Sequence, residues 1–175
     1  MTKYVAFLRA INVGGHTIIK MTDLKKMFES CGLENVQTYI QSGNVVFESD
    51  ENDATLLERQ IERQLEQDTG NKIRLFVRTI REVQFIANKG PFRAEAEETV
   101  HVSFLNEKPN RKQQEALLAL KSEADEFAVK GREVYNLRHD REKSVFSNNF
   151  IEKILKMHAT TRNLTTVGKI AEKYK

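Results

Sequence analysis

Cys31 is the only cysteine among 175 residues, so no intrachain disulfide can form and no zinc site can draw on two thiolates. That usage suits a reducing compartment, and the cytoplasm is the expected location. No uncharged apolar run reaches the roughly 18 residues a membrane-crossing helix needs, so no membrane partner is expected. The opening Met1-Thr2-Lys3-Tyr4 passes straight into a strand-like run, without the apolar stretch and small-residue cleavage site of a secretion signal. Asn163-Leu164-Thr165 is therefore not read as a glycosylation acceptor. Gly-x-Gly-x-x-Gly and Gly-Lys-Ser/Thr are both missing, which disfavours a dinucleotide fold or a P-loop. His16, His101, His139 and His158 are scattered, with no pair at helical ligand spacing, so neither a metal nor a cofactor is expected.

What is present is ordinary for a globular chain: 39% hydrophobic and 30% charged residues. At this length folding buries roughly 70% of the extended chain's surface, enough for a core without staples. The net charge of +3 is unevenly spread, with 11 basic against 5 acidic residues in the last 48. Such a region can attract an anionic partner or simply form a solvated helical face.

Residues 3 to 12 are almost continuously apolar, as in a central strand buried on both faces. Thr22 precedes Leu24, Met27, Phe28 and Cys31 at helical spacing, with Gly32 as a stop. Val36–Gln41 and Asn44–Glu48 read as strands joined by a tight turn at Ser42-Gly43. Asp53 opens a helix with Leu57, Ile61 and Leu65 on one stripe, and a strand at Ile73–Arg78 follows. Thr79 and Glu82 have capping-box spacing. A strand at 99–105, a helix capped by Asn110, a hairpin about Gly131 and a helix from Ser147 to about His158 then repeat the order, and a short helix closes the chain. Residues 160–163 read as part of the connection between the last two helices. The fold class is α+β: two ferredoxin-like subdomains of β-α-β-β-α-β type with mainly antiparallel sheets. They divide into 1–90, with a connecting helix, and 91–175, ending in two helices.

Three polar segments interrupt this apolar scaffold. Arg9 shares a strand face with Val5, Phe7 and Ile11 and needs a carboxylate, carbonyls or an anion as partner. Gly14 and Gly15 follow, a loop bend that can also expose amides to an anion. Gln41, Ser42, Gly43 and Asn44 cluster amides and a hydroxyl at a turn that glycine and asparagine also favour on structural grounds. Ser42 lacks the Gly-x-Ser-x-Gly elbow of a nucleophile. Thr161, Arg162 and Asn163 place a guanidinium fork between neutral hydrogen-bonding groups, although threonine and asparagine also serve as caps. The pairs Glu58/Glu62 and Glu95/Glu97 read as solvated faces.

Tyr4-Val5-Ala6-Phe7-Leu8-Arg9-Ala10-Ile11-Asn12-Val13-Gly14-Gly15, Thr38-Tyr39-Ile40-Gln41-Ser42-Gly43-Asn44-Val45-Val46-Phe47, and Thr160-Thr161-Arg162-Asn163 with Thr166-Val167 resemble the bacterial family grouped as domain of unknown function, number 1697. The resemblance implies a two-part α+β fold with ferredoxin-like subdomains and brings no activity. Ala10 stands where that pattern usually has glycine, and Leu164 where tryptophan is common.

These readings converge on a phosphate- or carboxylate-bearing small molecule held in a cleft between subdomains by Arg9, Asn12, Gly14, Gly15, Lys20, Gln41, Ser42, Gly43, Asn44, Thr161, Arg162 and Asn163. Two other readings stand beside it: a structural or interaction protein without a small ligand, in which the polar segments lock the halves together, and nucleic-acid binding through the basic C-terminal region and an open ferredoxin-like sheet. The last lacks the aromatic run of RNA-binding ferredoxin-like sheets, since the relevant strands hold only Phe76 and Phe104. No nucleophile-base pair stands out, so no enzyme class is assigned.

Overall fold

Apolar alternation on short runs, punctuated by Gly70, Gly131 and a series of caps, builds the same unit twice. The computed structural model describes residues 1–12, 17–40 and 43–175. Its elements are β1 (Thr2–Leu8), α1 (Met21–Ser30), β2 (Glu34–Tyr39), β3 (Asn44–Ser49), α2 (Ala54–Thr69), β4 (Leu75–Thr79) and α3 (Ile80–Lys89), then β5 (Thr99–Leu105), α4 (Arg111–Leu118), β6 (Asp125–Lys130), β7 (Glu133–Arg138), α5 (Asn148–Leu155), β8 (Ala159–Asn163) and α6 (Leu164–Lys173). They form two four-stranded antiparallel sheets, ordered β2-β3-β1-β4 and β6-β7-β5-β8. One compact unit comprises Met1–Val83 with Lys173–Lys175, the other Gln84–Glu172.

In the first unit β1 is an interior strand, buried from Tyr4 to Leu8. Its Tyr4, Ala6 and Leu8 share a core with Val45, Phe47, Leu75 and Val77 of the sheet, Leu24 and Phe28 of α1, and Leu57, Ile61 and Leu65 of α2. Burying each larger side chain of this set contributes about 1.5–3 kcal/mol. The Asp53 carboxylate accepts from the Thr55 and Leu56 N–H groups to start α2, and Gly70 ends it at φ 72°. Leu75, Val77 and Thr79 turn their N–H groups away from β1 at the edge of the sheet. Glu62 accepts from Leu75 at 3.1 Å, Glu58 from Val77 at 2.9 Å and Glu82 from Thr79 at 2.7 Å. Glu58 and Glu62 are thus not a solvated face. Their i, i+4 spacing places both carboxylates over alternate donors of an edge strand, satisfying groups that could otherwise pair with another chain.

The second unit repeats the frame in register. Val5 faces Arg78 across β1 and β4, as Val102 faces Arg162 across β5 and β8. The Leu8 N–H donates to the Gly43 carbonyl at 2.8 Å, as the Leu105 N–H donates to Arg132 at 2.9 Å. Glu152 accepts from the first residue of β8, Ala159, at 2.9 Å. Thr79 and Asn163 then start the following helices, Thr79 through the Glu82 box and Asn163 by accepting from the Thr165 N–H.

Four local expectations are corrected. Thr22 does not cap α1: the helix begins at Met21, with Lys20 at the cap position and no side-chain cap bond. Ahead of it Asn12 pins the backbone by donating to the Ile19 carbonyl and accepting from its N–H. The strand before the first hairpin stops at Tyr39, not Gln41, and Ile40 is left-handed at φ 50°. Helix α5 stops at Leu155 because Lys156 turns left-handed, so His158 lies beyond it, with Nδ1 3.4 Å from Glu152. Residues 160–163 belong to β8 rather than to a helix-helix connection; pairing with β5 organises a run too polar to announce itself.

Candidate functional site

In the first unit one end of the sheet gathers the end of β1, the start of α1, the β2–β3 turn, the end of α2 and the start of β4. This follows from strand order, since Phe7 pairs with Asn44 and Leu8 with Leu75. Backbone bonds fasten the segments together: Leu8 N–H to Gly43, Arg9 N–H to Arg74 at 2.9 Å and Asn12 N–H to Thr17 at 2.9 Å. The segments 9–20, 36–47 and 70–79 contain no aspartate or glutamate. They carry Arg9, Lys20, Lys72 and Arg74, besides Arg78, which is buried within β4. Arg9 is half-buried, and Lys20, Lys72 and Arg74 are exposed and form no ion pair among the described residues. Carboxylates border these segments at Asp23 in the first turn of α1, at Glu66 and Asp68 in the last turn of α2, and at Glu62, which is bonded to the Leu75 amide. The dipole of α1 adds positive potential at its uncapped start.

Backbone strain concentrates here. Ala10, Asn12 and Ile40 have φ of 53°, 54° and 50°, and Gly43 has 86°. Left-handed backbone costs an L-residue about 1–2 kcal/mol, and a β-branched residue there is an outlier. Ala10 at positive φ explains why glycine suits this position in the family pattern. At Gly43 a Cβ would lie 2.9 Å from Ile11 Cγ1 and 3.0 Å from Leu8 Cβ, so only glycine fits.

The sequence-derived residues fall into distinct roles. Arg9, Asn12, Lys20, Gly43 and Asn44 all meet at this end of the first sheet; Gly14, Gly15, Gln41 and Ser42 lie outside the described residues. Asn12 uses its carboxamide on Ile19, and buried Asn44 donates to the Tyr39 carbonyl at 3.0 Å. Thr161, Arg162 and Asn163 are consecutive on β8 of the second unit. The Thr161 hydroxyl joins Ser103 at 2.7 Å and Asn148 at 2.9 Å, and Asn163 caps α6. Arg162 is buried, and its Nη1 donates to Thr160 Oγ1 at 2.8 Å and to the Thr161 carbonyl at 3.0 Å. Burial brings its pKa down to about 10, so it stays cationic at neutral pH. Phe76 and Phe104 are fully buried.

Reading the chain alone missed Arg78, fully buried with its Nη1 on the Val77 carbonyl at 3.0 Å. The alternation that singled out Arg9 applied equally to it. Also missed was a polar core in the second unit. Buried Asp125 accepts from Asn136 at 3.0 Å, Ser144 at 2.7 Å and the Val145 N–H at 3.0 Å. Thr99 Oγ1, His101 Nδ1, Asn136 Oδ1 and Arg138 Nε are buried there without a hydrogen-bond partner among the described residues. Beside this core His139 is held by Glu98 and, at 2.6 Å, by Glu126. Burial, and then Asp68, push the Cys31 thiol up to about 11. Among the described residues no group of three or more His, Cys, Asp or Glu side chains could hold a metal ion, and no helix is long and apolar enough to cross a membrane.

Two ferredoxin-like α+β halves, each ending its fourth strand with a buried arginine, define the class of molecule. The chain belongs to the family described as proteins of unknown function, DUF1697, whose pattern matches residues 1–135. A conserved bacterial protein from Streptococcus pneumoniae has a similar solved structure, at a TM-score of 0.76 and 24% identity, covering 99% of this chain and 98% of that one. At that identity the likeness is one of fold. No curated protein matches the chain.

Proposed function

We propose that this is a cytoplasmic protein that binds a small phosphate- or carboxylate-bearing molecule at the loop end of its first sheet. The observation that carries the reading is the juxtaposition of three acid-free segments bearing Arg9, Lys20, Lys72 and Arg74, tied by the Leu8–Gly43 and Arg9–Arg74 backbone bonds. Guanidinium and ammonium groups supply charge-assisted hydrogen bonds to such anions. Left-handed backbone at Ala10, Asn12 and Ile40 supports it, because strain of this kind collects at ligand sites. Arg162 enters as a second, separate anion contact in the other unit.

Thermal unfolding against a panel of phosphate and carboxylate metabolites tests the proposal. A ligand that binds only the folded chain raises Tm as its concentration exceeds Kd. Arg74→Ala combined with Lys20→Ala, both at exposed positions, is expected to shrink that rise while leaving the unliganded Tm nearly unchanged. Arg162→Ala measures the second contact. Equal shifts in parent and variants count against the assigned residues, and retention of RNA or DNA at low salt, lost as salt rises, would favour nucleic acid instead.

A further inference from the structure

Two exposed large apolar side chains adjoin the same loops as the cations. Ile18 is 81% exposed and Ile40 is 53% exposed. Ile18 lies two residues before Lys20, and Ile40 opens the β2–β3 turn whose Gly43 carbonyl holds Leu8. Neither is explained by packing. Ile19, between Ile18 and Lys20, is the residue that turns inward and joins the core. Ile40 is costly twice, since it holds an apolar side chain in water and a β-branched residue at φ 50°. Asparagine or glycine would serve the turn better on backbone grounds alone. Such a residue is consistent with a surface that is covered when the protein works.

We infer that the ligand of the cationic loop end is an amphipathic anion: a phosphate or carboxylate head facing Arg9, Lys20, Lys72 and Arg74, with an alkyl or aryl group covering Ile18 and Ile40. The occupant follows from complementarity: Ile18 lies in the acid-free segment that carries Arg9 and Lys20, and Ile40 lies in the acid-free segment bonded to it through Leu8 and Gly43, so an uncharged hydrocarbon would leave exposed Lys20, Lys72 and Arg74 without an anion and a bare anion would leave the isoleucines wet. This rests on the anion-binding reading and adds the apolar half of the ligand.

The test is calorimetric titration of the full chain with inorganic phosphate and with n-alkyl phosphates from ethyl to octyl, all below their micelle-forming concentrations. Each methylene that covers apolar surface should tighten Kd by about two- to fourfold. Ile18→Ser and Ile40→Asn should each flatten that series while leaving the Kd for inorganic phosphate unchanged. Asparagine tolerates left-handed backbone, so Ile40→Asn should also raise Tm, which separates lost contact from lost fold. A Kd for phosphate that does not change with chain length overturns the inference and spares the anion reading. Octanol binding as tightly as octyl phosphate, or no binding by any member, overturns both. Co-sedimentation with phosphatidylglycerol vesicles that Ile18→Ser abolishes, in a chain that ignores monomeric alkyl phosphates, overturns the small-molecule ligand in favour of a membrane surface.

Discussion

The two halves use one frame in opposite ways. At the position matching Val77 on the fourth strand, the second half has Thr161, and at that matching Phe47 on the strand two places inward it has Asn136; both correspondences follow from the paired registers. The first half therefore closes its helix-facing side with hydrocarbon, and Phe47 stacks on Tyr4 at 5.6 Å. The second half puts Ser103, Thr161, Asn136 and Asp125 on the same side and satisfies them with Asn148, Ser144 and the Val145 amide. At the loop end the contrast reverses. There the second half has a capping box between Asn110 and Gln113 and a short turn at Gly131, at φ 58°. The first half has an uncapped helix, left-handed Ala10 and Ile40, and no carboxylate in its three converging segments. A stable apolar core can carry irregular loops, and an ordinary loop end can go with a polar core; irregularity is placed once per half.

The sharpest way to break this comparison is Asp125→Ala. It removes the charged acceptor shared by buried Asn136, half-buried Ser144 and the Val145 N–H; with hydrogen bonds to a charged group worth about 1.5–3 kcal/mol each, the loss should be about 3–5 kcal/mol in urea unfolding. Glu34→Ala, at the exposed start of the matching first-half strand, should stay within about 0.5 kcal/mol of the parent. Reciprocal swaps come next. Val77→Thr buries a hydroxyl in hydrocarbon and Thr161→Val strips Ser103 and Asn148 of a partner, so each should cost about 1–3 kcal/mol. If either swap were neutral, the two cores would be interchangeable. Ala10→Gly relieves left-handed strain and should stabilise by about 1 kcal/mol, read as a shift in urea midpoint at unchanged slope; destabilisation would show that Ala10 is not strained.

The smallest effect is on pH. Glu98 and Glu126 raise the pKa of His139, so its contribution is fully present below the unfolded histidine value and fades as pH rises through the higher folded one. Burial, and then Arg138, lower the pKa of His101, against a smaller opposing pull from Asn136 and Asp125. Stability from keeping His101 neutral is present above the unfolded value and fades as pH falls toward the lower folded one. The two contributions therefore fade in opposite directions from the unfolded histidine value, that of His101 on acidification and that of His139 as pH rises. His139→Gln should leave a chain that loses Tm on acidification, and His101→Phe one that loses Tm as pH rises. Identical profiles for both variants would refute the assignment.

Much of this frame was legible in the chain. Asp53, Gly70, Thr79 with Glu82, Asn110 and Ser147 all act where their local chemistry indicated, because capping is settled within a few residues. Strand β8 was not legible, since Ala159-Thr160-Thr161-Arg162-Asn163 has no apolar alternation and becomes a strand only by pairing with β5. Glu58 and Glu62 looked like surface because an edge strand's free amides are invisible until the sheet exists. At the candidate site Arg9 stood out as a lone cation in an apolar strand, whereas Lys72, Arg74, Ile18 and Ile40 are unremarkable locally and acquire meaning only when the topology sets their loops side by side.

The central claim is that the irregular loop end of the first half recognises the anion, and amide chemical shifts of labelled protein titrated with octyl phosphate test it most directly. The account predicts that the first and largest perturbations fall on Arg9, Ile18, Lys20, Ile40, Lys72 and Arg74. Perturbations centred instead on the polar core around Asp125, His101 and Asn136, or spread evenly over both halves, would contradict it.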